Sequence, residues 1–374
     1  MFQRINTRLR AGGNAGGIAF DFRSGALDPR ISFTRASNAW YFDSAGNLVQ
    51  ASTNEPRFDY DPATLQARGL LIEGASTNID LHSRDFTQTA WVKTNITAAL
   101  DVTGITGVAN SASRLTATAG NGTALQTITS ASATHVSSFF ARRLNGSGTV
   151  EITQDNGATW TAITLTAAWQ RFNVPAATVA NPVIGFRLGT NGDVIAVDVA
   201  QCEVAAFPTS PIITVAASVG RAGDFSTINT LTPWFNNAEG TIIVEYSRPF
   251  LGANQYELSF NDNTTNEAFS LHNAGSNRVV TVVDNAVVQF QPVVGAGFDA
   301  PLAVSKKALA YRAANFAACL NGGAVSSGAT GTLPTVTVLR IGRYVAASFH
   351  FGWIRRIAYY PTRLSNATLQ ALTA

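Results

Sequence analysis

Histidines, serines and carboxylates at set spacings are how a sequence announces an active centre, and in this chain they are scattered. The four histidines, His82, His135, His272 and His350, lie far apart, and none falls in the H-x-H or H-x-x-x-H patterns that hold zinc. No G-x-S-x-G turn presents a serine nucleophile. Glycoside hydrolysis needs two carboxyls facing each other across a groove. In the C-terminal part Glu245 and Glu257 stand alone, and Asp284 belongs to a turn-favouring pair with Asn285. The remaining chemistry is non-covalent: sugar rings stack on aromatic side chains placed beside planar polar groups. Six Trp and eight Tyr supply candidates. Trp160, at the end of a hairpin-like stretch, and Trp234, in the polar segment TPWFNN (residues 232–237), are expected to be exposed and are the candidate carbohydrate platforms.

The elements that must position these residues are short strands. Apolar residues make up 46% of the 374 positions and charged residues only 13%, which is too apolar for disorder and enough for several cores. Thirty-one Gly and abundant Thr, Ser, Asn and Ala suit strands joined by tight turns, so an all-β, multidomain protein is expected. A net charge of +3 does not mark a nucleic-acid partner, because the basic residues are dispersed and only Lys93, Lys306 and Lys307 are lysines. No apolar run of about 18 residues occurs, so no membrane insertion is expected. The start, MFQRINTRLRAGG, lacks the apolar stretch of a secretory signal. Cys202 and Cys319 fall in different expected domains and read as small buried apolar residues.

Along the chain, residues 1–17 are basic, Gly-rich and without periodicity, and are expected to be an arm or attachment segment. Residues 18–77 are expected to form a small β domain. Their stretch FTRASNAWYFDSAGNLVQASTNEPRFDYDPATLQARGLLIEGASTN (residues 33–78) resembles a segment that recurs in tail-fibre, head-spike and related structural proteins of phages and gene transfer agents. Residues 78–214 carry strand-like runs about ten residues apart, the spacing of a sandwich or jelly roll. An opening F…W, a central Trp169-x-x-Phe172, then VDVAQCEV (197–204) and FPTSPI (207–212) are similar to carbohydrate-binding-module jelly rolls. Residues 221–374 alternate again, and their LNG (320–322), LRIG (339–342), GWIRRIAYY (352–360) and LSNATL (364–369) resemble laminin-G/concanavalin-like sandwich domains. Ser365 or Asn366 is placed to cap a short final helix.

These resemblances carry further expectations. Trp91 and Trp169 match core positions of such jelly rolls, and Asp198 falls near the strand where they often hold a structural calcium; no other cofactor is expected. The segment TQDNGATW (153–160) matches an Asp-box hairpin, present once here, whereas sialidases carry several, so it reads as a self-stabilised turn. The E-x-D-x-x-E strand of concanavalin-like hydrolases is missing, which argues against an enzyme. Together they imply a non-catalytic spike or fibre protein on a virion surface, assembled in a host cytoplasm. It would bind host cell-surface or capsular polysaccharide, contact other virion proteins through its N-terminal segment, and be a homo-oligomer, by resemblance a trimer. The alternatives are a purely architectural capsid or tail decoration protein and a polysaccharide depolymerase.

Overall fold

The computed structural model describes residues 17–250, 252, 254–345 and 348–374. Strands dominate, and the ladders between them among the described residues are antiparallel. The chain divides into two compact units. One comprises residues 36–53 and 75–222, and the other comprises the stretches up to residue 35, 54–74 and 223–374. The expected arm over 1–17 lies outside the described residues except for Gly17.

The middle unit is a sandwich. One sheet runs, edge to edge, Gln170–Asn173, Ala133–Asn145, Val194–Val204, Ala112–Ala117 and Ile96–Val102, with Ala177–Val179 also on the long Ala133–Asn145 strand. The facing sheet runs Thr161–Ile163, Val150–Thr153, Val183–Leu188, Gly122–Thr127 and Val92–Thr94. Alternation sends Phe139, Ala141, Ile195, Val197, Ile152 and Phe186 into one shared core. Trp91 lies there too, 1% exposed and stacked on Phe86 at 3.8 Å, as its sequence position implies. Two short ladders close the unit, Ala39–Phe42 on Leu48–Ala51 and Ser76–Asn78 on Val219–Arg221.

The second unit is a larger sandwich. Its first sheet runs Ser326–Gly328, Phe316–Leu320, Ser305–Arg312, Glu239–Ser247, Gly352–Tyr360, Ala67–Ile72 and Phe58–Tyr60, and Ile18–Asp21 also pairs with Gly352–Tyr360. Its second runs Ser32–Thr34, Phe225–Ile228, Val338–Ile341, Tyr256–Asn261, Ala268–Ala274, Asn277–Asp284 and Val287–Phe290, with Val293–Gly295 also on Asn277–Asp284. On the outer face of the first sheet Ala308, Ala310, Ala317 and Ala358 are small enough for the helix Asn366–Thr373 to lie close, through Leu369. Ser365 caps that helix, accepting from the Thr368 N–H at 3.2 Å.

The separate small domain expected over 18–77 is therefore corrected. Ile18–Asp21, Phe58–Tyr60 and Ala67–Ile72 are strands of the C-terminal sandwich, and residues 36–53 belong to the middle unit. The reason is burial: Leu70 and Ile72 are 0% exposed in the same core as Ile354 and Ile357, which so short a domain could not supply.

Where the chain leaves and re-enters the C-terminal unit, buried charges clasp it. Asp224 accepts from Arg35 Nη1 at 3.2 Å, Arg57 Nη2 at 2.6 Å and the Glu73 N–H at 2.9 Å, and Arg57 Nη2 also reaches Glu73 at 2.9 Å. Both arginines and Asp224 have fully buried side chains. Arg35 and Asn54 add two bonds across the first excursion, of 3.0 and 2.9 Å.

The middle unit buries a different kind of acid. Asp80 is 0% exposed, and near it lies the Thr214 hydroxyl at 3.4 Å, with no guanidinium of the described residues bonded to it. Burial lifts its carboxyl well above the usual range, against hydrogen bonds from Asn78 and Thr214. The folded unit then keeps the proton to a higher pH than the unfolded chain, whose aspartates titrate near ~3.9. Between those two values folding takes up a proton, so stability falls as pH rises. Asp80→Asn is expected to remove this fall and to leave the unit at least as stable at about pH 7 as the parent. Urea denaturation at about pH 5 and about pH 7 checks it, and a clear loss at the higher pH would show that the carboxylate works ionised.

Candidate functional site

The three sequence-derived site residues do not converge. Trp160 closes the 153–160 turn, where Thr153 Oγ1 donates to Asp155 Oδ1 at 2.8 Å and the Thr159 N–H donates to the same oxygen at 2.9 Å. Asn156 and Gly157 adopt left-handed φ of 61° and 76°, and a Cβ on Gly157 would lie 2.7 Å from the indole. The Arg187 guanidinium sits 4.4 Å from the ring centroid, held by Glu151 at 2.6 Å. Trp160 is half-buried beneath that arginine, so one face of the expected platform is closed.

Trp234 departs further from the expectation of exposure. Its ring meets Tyr359 at 5.4 Å, Phe235 at 5.9 Å and Phe260 at 6.4 Å, and it packs on the core of the C-terminal unit. A large ring gains more from that apolar end of the sandwich than the polar neighbours in TPWFNN gain from drawing it into water.

Asp198 is the third. Arg84 grips it bidentately, Nε to Oδ1 at 2.7 Å and Nη2 to Oδ2 at 3.0 Å, and the N–H groups of Ile105 and Val199 donate at 2.8 and 2.9 Å. A guanidinium and two amides thus occupy the oxygens expected to bind calcium. Among the described residues no group of three or more His, Cys, Asp or Glu could hold a metal. Trp169 packs, as expected, but on the small cluster of Val102, Ala112 and Ala196 rather than in the main core, with Arg142 5.1 Å from its ring.

A concave site exists elsewhere, on the outer face of the first sheet of the C-terminal unit. It encloses about 240 Å³ beside the end of the Asn366–Thr373 helix. Register builds it: Glu245 pairs with Lys306 on one side and Arg356 on the other, and Ile243 pairs with Ala358 one step along. Period-2 alternation then puts Arg356, Ala358 and Tyr360 on one face. Ile243, Ala358 and Leu372 make the apolar floor, and Arg23, Lys306, Arg356 and Tyr360 the polar wall.

The charges of this wall are unequally engaged. Glu245 accepts from Arg355 Nε at 3.0 Å and lies 3.6 Å from Arg23, which also pairs with Asp21 at 2.6 Å. Lys306 Nζ donates to the Ala374 carbonyl. The Arg356 side chain makes no hydrogen bond or salt bridge with any described residue. Burial raises the Tyr360 phenol above its ordinary value, and nearby Arg356 pulls against it. The arrangement offers an aromatic edge and a free guanidinium over an apolar floor, suited to a ring bearing hydroxyls and a carboxylate. No local pattern marks this site in the sequence, because Glu245, which lies beside Arg356 in register, is about a hundred residues upstream.

The chain matches no protein-family model and no curated protein. Among solved structures it is similar to the Ruminococcus gnavus IT-sialidase CBM40, with a TM-score of 0.32 and 18% identity over 37% of this chain and 84% of that one. It is also similar to the CBM22-1-CBM22-2 tandem of Paenibacillus barcinonensis Xyn10C, at TM-score 0.28 and 8% identity over 78% and 99%. Domains LG4-5 of the mouse laminin alpha1 chain follow at 0.25 and 10%, over 77% and 88%.

Proposed function

We propose that this chain is a non-catalytic glycan-binding protein displayed on a phage or phage-like particle, which attaches the particle to acidic host capsular or cell-surface polysaccharide. The observation that carries the reading is the pocket with Tyr360 on its wall and Arg356 unpaired beside it. The particle origin rests on the resemblance of residues 33–78 alone. Among the side chains lining the pocket Glu245 is the single carboxylate, and two arginines already engage it, which supports binding over hydrolysis by a carboxyl pair. One pocket of this size binds weakly, and several copies on one particle raise avidity without further contacts.

The test is binding of the purified protein to extracted capsular polysaccharides, uronate-containing and neutral. Saturable binding to the acidic polymer is expected, with Arg356→Ala weakening it about tenfold or more through loss of a charge-assisted contact. Tyr360→Ala should weaken it less. If the folded protein binds no polysaccharide but co-purifies with other particle proteins, the architectural reading replaces this one.

A further inference from the structure

The inner face of the C-terminal sandwich changes character at one end. On the Ser305–Arg312 strand Tyr311 and Leu309 point into the core, and Lys307 continues that row. On the Ala268–Ala274 strand of the other sheet Phe269 and Leu271 point inward, and Asn273 continues theirs. Tyr311 and Phe269 stack at 4.3 Å, which aligns the two rows. Two steps of two residues along each strand bring Lys307 opposite Asn273, and Lys307 Nζ duly donates to the His272 carbonyl at 2.7 Å. Lys307 and Asn273 are both 0% exposed.

Beside Lys307 lies Glu257, also fully buried, which accepts from Lys307 Nζ at 2.9 Å. Arg248 Nη2 bonds the other oxygen of Glu257 and donates to Asn273 Oδ1 at 3.1 Å. Asn273 Nδ2 is buried and has no partner among the described residues. Such an orphan in so ordered a cluster calls for an explanation. The Tyr246 ring lies 5.5 Å from Nζ.

We propose that Lys307 and Asn273 join in an intramolecular isopeptide bond that links the two sheets of this sandwich. Each part of the cluster has a role in the step. Burial pulls the Lys307 ammonium down to about 8, against the attraction of Glu257, so the uncharged amine is accessible near neutral pH. Arg248 polarises the Asn273 carbonyl and stabilises the oxyanion that forms on Oδ1. Nζ attacks Cγ, Glu257 takes a proton from Nζ and passes it to Nδ2, the Cγ–Nδ2 bond breaks, and ammonia leaves. One C–N bond is exchanged for another, with no oxidant, metal or cofactor. Holding the two groups face to face in a dry interior supplies the proximity that free side chains lack.

The test is the mass of the intact, folded chain and of its proteolytic peptides. The expected result is a mass lower than that of the sequence by about 17 Da, one ammonia, with one branched peptide containing both Lys307 and Asn273. Asn273→Ala should restore the full encoded mass, and so should Glu257→Gln if it folds. An unshifted mass in the folded parent protein overturns the proposal. So does persistence of the loss in Asn273→Ala, or a loss of about 18 Da joining Lys307 to Glu257 instead.

Discussion

Asp224→Ala is expected to unfold the C-terminal sandwich under conditions in which the middle unit stays folded. The carboxylate serves two buried guanidiniums and one backbone amide, with nothing exposed to water. Removing it breaks the ion pairs that Arg57 and Arg35 make with it in a dry site, Arg57 keeping Glu73. Breaking a buried pair by deleting one partner costs about 3–5 kcal/mol, much of a typical domain stability of about 5–15 kcal/mol. Guanidinium denaturation followed by near-UV circular dichroism should show one transition moving to much lower denaturant and a second unmoved. A variant that unfolds as the parent does would mean that the cluster contributes nothing net. Asp224→Asn keeps the shape and loses the charge, so it should fall between the two.

The second large effect belongs to the other unit. Trp91→Ala removes a ring 1% exposed, stacked on Phe86, whose Nε1 donates to the His82 carbonyl at 3.2 Å. Truncations of this size in a packed core cost about 3–5 kcal/mol, since the cavity collapses only in part. The carbonyl of His82 is left with the Asp85 N–H at 3.1 Å. Here the transition of the middle unit should move and that of the C-terminal unit stay, the reverse of Asp224→Ala. Trp91→Phe should recover part of the loss through the retained stacking. Equal movement of both transitions in either variant would show that the units do not unfold independently.

These two variants also mark how far the sequence could be read. Period-2 alternation revealed strands such as Ile242-x-Val244-x-Tyr246, and the placing of Trp91 in the core followed from its position in the F…W pattern. The turn at 153–160 was legible because Thr153, Asp155 and Gly157 bond one another locally. What alternation does not encode is the partner. Ala67–Ile72 reads as a buried strand in any sheet, and only the fold pairs Leu70 with Ile354, nearly three hundred residues on. The pocket was invisible for the same reason, because Lys306, Glu245 and Arg356 become neighbours only through register. Trp234 misled because polar neighbours in sequence were taken as its surroundings in space.

The two excursions of the chain out of the C-terminal unit also impose an order on its synthesis. Every strand of the middle unit has been synthesised once residue 222 is made. Ile18–Asp21 and Ala67–Ile72, made early, lack their shared neighbour in the sheet until Gly352–Tyr360 arrives. At typical elongation rates that interval is on the order of tens of seconds. Through it the Leu70-Leu71-Ile72 segment can pair with Phe58–Tyr60 but leaves its other edge open on a nascent chain, a state exposed to pairing with a neighbouring copy. Early folding of the nested unit shortens the distance between the waiting strands and the segment that completes them, so slowing it should lower the yield of soluble protein more than its own stability would suggest.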